Sequence, residues 1–375
     1  MINNVVRDIF RINLGVKKHE KVLIFNDTVS KKEVVDESDI ERRAKLTYLS
    51  LLASEIGKNL CRSISLYEYP ATGCHGAEPP VELWEFAFGK KVIERLEKER
   101  ILLPLLKKTA KDKDIKRAED IIRRHVHHAV HCVIALANYS TSHTRFRDLL
   151  TRICGCRYAS MPLFDISMLE GSMNVDWKTL ARRTRDIAKI VTEADVIRVK
   201  TANSTFISFS KKGRKARSDT GILTRKGSFG NLPAGEVYLA PLEGTAHGKL
   251  ILEWGPTNHL GSPVTLTVKD GYVVGISGED PYAEKLSKKL SERKENANIA
   301  ELGIGTNEAA KRPDNILESE KILGTIHIAL GDNSTFGGNV KTPFHQDFVF
   351  FQPTVTLLYK DGGQRDILKA GRVLC

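Results

Sequence analysis

The chain has 375 residues, 41% hydrophobic and 28% charged, an ordinary globular balance with enough length for two cores. No run of about 18 apolar residues occurs, which argues against a transmembrane helix, and the N-terminus lacks the basic-then-apolar layout of a secretory signal. The formal charge of +12 raises the question of nucleic acid, yet residues 301–375 hold eight Lys/Arg and nine Asp/Glu. The excess lies upstream, in clusters without the interleaved aromatic residues that stack bases. The expectation is a cytoplasmic enzyme with no membrane partner and no specific nucleic-acid partner.

In chain order, the pattern predicts a strand at Lys21–Asp27, a helix at Asp39–Ile56, a strand at Cys61–Tyr69 and a long helix at Glu82–Glu99. A helix at Ile115–Arg124 and a strand at Cys132–Ala137 follow. That alternation predicts an α/β domain, a parallel sheet flanked by helices. His125, His127, His128 and His131, beside Cys132, match no common zinc spacing and read as histidines at a helix C-terminus. No phosphate-binding glycine loop is present. After a helix at Trp177–Glu193 and a strand at Val196–Thr201, the chain turns to short strands with many Gly and Pro. The second domain is therefore expected to be α+β with mixed or antiparallel strands, and the boundary falls near 170: domains 1–170 and 171–375. Lys211–Arg217 reads as a hairpin tip. The six cysteines read as reduced thiols rather than a disulfide framework.

The chemistry concentrates in the second domain. In His345-Gln346-Asp347 the imidazole and carboxylate stand at i and i+2 on a strand, so both reach one point in space. His327 lies on the less apolar face of the glycine-bounded strand Gly324–Gly331. Glu301 opens a glycine-punctuated stretch, and Glu236 follows the Pro233-Ala234-Gly235 turn. Singly, each reads as a surface acid or a core histidine. Together, two Glu, two His and one Asp are mixed N/O donors suited to two divalent ions.

Four phrases, Asn231–Pro241, Glu301–Asn307, Glu320–Asn333 and Pro343–Phe348, resemble in this order the thermophilic-type metallo-aminopeptidases, the aminopeptidase T and aminopeptidase S group. Less specific phrases, Ser142-His143-Thr144 and Arg157–Pro162, extend the resemblance upstream. It implies a ligand set of Glu236, Glu301, His327, His345 and Asp347, with Glu301 bridging two ions, zinc or cobalt, although manganese and iron also suit such donors. It further implies catalytic roles for Glu301 and His345, short peptides as substrates and a homodimer. Glu308 and Glu320 are candidates for a general base. The expected function is metal-dependent aminopeptidase hydrolysis by metal-activated water.

Two departures point elsewhere. The peptidases place a tyrosine in the metal shell soon after the first histidine, whereas Asp332–Phe336 holds none, and the His327-to-His345 connection is shorter. Both move the chain toward the dihydroxypyridine ring-cleaving dioxygenases. Those enzymes resemble the same group, keep the HxD pair, and bind one ferrous ion through two histidines and a carboxylate. They are the alternative reading, beside a metal-free binding relative.

Overall fold

Val22, Leu23, Ile24 and Phe25 are all buried in the strand Lys21–Thr28, as in a central strand covered on both faces. That strand pairs in parallel with Ser63–Pro70 and with Cys132–Ala135, and the sheet continues through Arg157–Ser160 to Phe229–Asn231. The computed structural model describes residues 1–256 and 258–374 and shows the expected parallel sheet flanked by helices. The helix Glu37–Gly57 starts where Asp36 accepts the Asp39 N–H at 2.8 Å. Phe25, Trp84, Phe88, Phe146 and Tyr158 form the centre of this unit's core.

Where one helix is expected over 82–99, there are two, Val81–Phe88 and Lys90–Lys98. Gly89 separates them with a φ of +91°, a conformation that side chains rarely adopt, and a Cβ there would press on His128. The histidine cluster holds the same corner: His131 Nδ1 accepts the Lys21 N–H, and Lys21 Nζ donates to the His128 carbonyl. Among the described residues, no metal-holding group forms there.

The chain divides into two compact units, residues 1–174 with 221–233, and 175–220 with 234 onward. The single boundary expected near 170 thus misses the segment 221–233. Phe229–Asn231 leaves the second unit's sequence to become the last parallel strand beside Arg157–Ser160.

The second unit contains two antiparallel sheets, one of eight strands and one of five. One hydrophobic cluster joins them. The larger sheet contributes Ile197, Val199, Leu250 and Leu266, the smaller Leu302, Ile304, Ile328 and Phe348, and the helix Trp177–Glu193 adds Ile187 and Val191. Each such side chain contributes about 1.5–3 kcal/mol on full burial, so the apolar face of the smaller sheet is held firmly while its opposite face stays available. Lys211 is not at a solvated tip: it is buried, and its ammonium donates to the Thr192 carbonyl near that helix's C-terminus. No described helix is long and apolar enough to cross a membrane. The five described cysteines are free thiols, and Cys375 lies outside the described residues.

Asp27 is fully buried at the end of its strand and accepts backbone N–H bonds from Asn138 and Tyr139. Burial pushes its carboxyl up to about 6 despite those bonds, from an ordinary 3.8. Between those values the folded chain keeps a proton that the unfolded chain releases, so stability falls as pH rises from about 4 to about 6. Asp27→Asn should flatten that part of the curve of melting temperature against pH. An unchanged slope would contradict this assignment.

Candidate metal centre

The five-stranded sheet runs His345–Phe350, Ile326–Gly331, Ile299–Gly305, Glu236–Leu239 and Arg217–Asp219. Its register places the site. Glu301 and Asp347 both pair with Ala329, one from each side, so two carboxylates flank a residue too small to separate them. Two residues along the strand in one direction His327 stands opposite Gly303, and two residues in the other Gly331 stands opposite His345. Alternation puts Glu236, Tyr238, Glu301, His327, His345 and Asp347 on the face opposite the apolar cluster.

His345 Nε2 lies 3.5 Å from Glu301 Oε2 and 3.5 Å from Asp347 Oδ2. His327 Nε2 approaches the same pair from the other side, 3.7 Å from Glu301 Oε1 and 4.0 Å from Asp347 Oδ1, and 3.4 Å from Glu236 Oε2. Two imidazoles therefore bracket two carboxylates. Donor atoms of Glu301, His345 and Asp347 lie within 4.8 Å of one another, the compact set that one divalent ion needs. All five expected ligand residues are brought together; only these three form the tight cluster.

The donors fit a cation. His345 Nδ1 is 2.8 Å from the Asp332 carbonyl, which can only accept, so Nδ1 carries a hydrogen and Nε2 is the nitrogen that faces the carboxylates and that a cation would take in place of its proton. Glu236 Oε2 and His327 Nδ1 are buried without a hydrogen-bond partner. Burial disfavours charge on either imidazole, yet the surrounding carboxylates outweigh it and raise both pKa values. Burial likewise raises Glu301, whereas in Asp347 the His345 and His327 imidazoles overcome burial and hold the carboxyl low. The field here attracts positive charge.

Lys321 joins this cluster although nothing in its sequence context marks it. It is wholly buried, 2.8 Å from Glu236 Oε1 and 2.9 Å from Glu320 Oε2. Burial pulls its pKa down, but Glu236, Glu320 and Asp219 hold it well above the usual value, so the group is charged. Glu320 is pushed up to about 7, mainly by burial. Glu308, the other candidate base, instead pairs with Arg183.

Gly303 makes room for the His327 ring: a Cβ there would lie 1.9 Å from Cε1 and 2.0 Å from Nε2. Gly303→Ala should therefore cost about 1–3 kcal/mol, as overpacking does, and weaken metal binding by displacing His327. A variant with unchanged melting temperature and metal affinity would contradict the geometry.

Among solved structures, the fold is similar over its whole length to two enzymes. The 2,5-dihydroxypyridine dioxygenase of Pseudomonas putida KT2440 matches with a TM-score of 0.69 at 17% identity, covering 100% of this chain and 97% of that one. AmpT of Thermus thermophilus matches with a TM-score of 0.60 at 14% identity, covering 100% and 99%. Likeness at these identities shows the shared fold. In sequence, the chain is 26% identical over 148 residues to a curated 2,5-dihydroxypyridine 5,6-dioxygenase of Pseudomonas putida. The aligned stretch spans 35% of this chain and 42% of that relative. The comparisons thus support the ring-cleaving alternative better than the aminopeptidase expectation, which rests on a fold neighbour. The family model described as NicX, 2,5-dihydroxypyridine 5,6-dioxygenase, matches residues 166–374. That is more than half of the chain, and the chain belongs to this family.

Proposed function

We propose that the chain is a single-metal dioxygenase that opens a hydroxylated pyridine-type ring. The observation that carries this reading is Phe336, in the stretch where the resemblance to aminopeptidases calls for a tyrosine ligand. Its ring cannot coordinate. It stands edge-on to His345, with centroids 6.0 Å apart at 87°, and meets Tyr238 at 5.9 Å and 73°. An aromatic wall beside a three-donor cluster suits a flat ring substrate, and three protein donors leave coordination positions open. Family membership and the dihydroxypyridine dioxygenase relative support the same substrate class.

In this reading Glu301, His345 and Asp347 would hold one iron(II), two carboxylates and one imidazole rather than the two histidines and one carboxylate expected of such dioxygenases, with His327 as the neighbouring nitrogen donor. The ion, when bound, supplies the meeting point for dioxygen and a substrate hydroxyl oxygen. The Asp332 carbonyl fixes the His345 tautomer. The Tyr238 hydroxyl, held protonated by burial and by Asp219, Glu236 and Glu301, remains a hydrogen-bond donor. Phe336 would offer an apolar edge where the ring would lie. Peptide hydrolysis with two ions is the weaker reading, because the Glu236 carboxylate is already paired with Lys321.

Anaerobic loading with iron(II), followed by oxygen uptake on adding 2,5-dihydroxypyridine, tests the proposal. The expected result is one oxygen consumed per substrate, lost in His345→Ala and Asp347→Ala. Hydrolysis of leucyl peptides by the zinc or cobalt form, with no oxygen uptake by the iron form, would overturn it. Phe336→Ala should raise KM for the ring substrate by about threefold to tenfold, the worth of an aromatic contact, with bound iron unchanged. An unaltered KM would remove Phe336 from the substrate site.

A further inference from the structure

A lysine ammonium in a protein interior costs several kcal/mol unless carboxylates surround it. Lys321 meets that condition through a backbone built to deliver it. Its N–H donates to the Glu318 carbonyl at 2.9 Å, its own carbonyl accepts the Asn307 N–H at 2.9 Å, and Leu323 N–H returns to the Asn307 carbonyl at 3.0 Å. The segment lies directly on Gly305, where a Cβ would be 2.0 Å from the Ile322 carbonyl oxygen. Gly305 is also the sheet partner of Glu236. Close approach at one glycine therefore sets the ammonium against the Glu236 carboxylate.

The position of that ammonium is chemically specific. Glu236 gives it one oxygen, Glu320 gives it another, and the second Glu236 oxygen faces His327 Nε2 at 3.4 Å, buried and without a hydrogen-bond partner. Two carboxylates hold the buried positive charge and an imidazole adjoins one of them, donor types that also suit a divalent ion, while the compact three-donor group is Glu301, His345 and Asp347. His327 in turn contacts Glu301 and Asp347, so this second set adjoins the first.

We infer that the Lys321 ammonium is the resident second cation of this centre, occupying the place between Glu236 and Glu320 that a second divalent ion would take. It limits the protein to one bound ion. The expected two-ion set of Glu236, Glu301, His327, His345 and Asp347 does not fit this chain while Lys321 is charged and in place. Removing the ammonium leaves Glu236, Glu320 and His327 free to bind a second ion. The inference rests on the metal-centre reading above, but not on ring cleavage.

Cobalt(II) is the probe, titrated into purified protein stripped of metal, with bound cobalt counted by elemental analysis and its visible spectrum recorded. Wild type should bind one equivalent tightly. Lys321→Ala should bind two, and Lys321→Ala/Glu236→Gln should return to one. Two tight equivalents in wild type would overturn the inference, as would a folded Lys321→Ala that binds only one. Should Lys321→Ala fail to fold without metal, the wild-type stoichiometry decides alone: one equivalent supports the inference and two refutes it. Wild type that binds no cobalt refutes the inference together with the metal-centre reading. If stoichiometry behaves as expected while oxygen uptake is absent, ring cleavage falls and the Lys321 assignment stands.

Discussion

Four carboxylates, Glu236, Glu301, Glu320 and Asp347, gather on one face of a five-stranded sheet, and their charge must be balanced in place. Most of what is distinctive in the second unit answers that demand. Lys321 serves the Glu236–Glu320 side, while the two imidazoles serve Glu301 and Asp347 and leave that pair poised for a metal ion. On our proposal the charges separate into a cation position filled by Lys321 and one available to a divalent ion. This division is the physical basis for reading the centre as mononuclear.

Such a cluster is tolerable only on a backbone that does not yield. The opposite face of the same strands is packed into the cluster shared with the larger sheet, through Leu302, Ile304, Ile328 and Phe348. On the site face, Gly303, Gly305, Ala329 and Gly331 clear space for larger groups to converge. The connection before His345 is equally constrained. Asn333 accepts the Val340 N–H, and Glu243 accepts from Asn333 and from the Asn339 N–H. Those bonds tie down both ends of the loop that carries Phe336.

Much of this was legible in the sequence, for identifiable reasons. His345 and Asp347 announce themselves by strand periodicity, and the glycine-bounded strand around His327 does the same. Glu236 and Glu301 stand in phrases with turn signals, so their partnership is readable although their distances are not. Lys321 was not legible as a site residue. It sits in a charged phrase, Glu320-Lys321, that reads as solvated surface, and only the Asn307 bridge and the bare Gly305 turn it inward. Lys211 stands in a basic run that reads as a hairpin tip, and its burial against the Thr192 carbonyl is a tertiary contact. The strand Phe229–Asn231 escaped because three residues carry no periodicity, and its membership in the parallel sheet is a long-range pairing.

Anomalous diffraction from crystals of the iron-loaded protein tests the account most directly. It predicts one anomalous peak per chain, bound by Glu301, His345 and Asp347, with Lys321 still between Glu236 and Glu320. Two peaks about 3.5–4 Å apart, bridged by Glu301 with Lys321 displaced from Glu236, would contradict it.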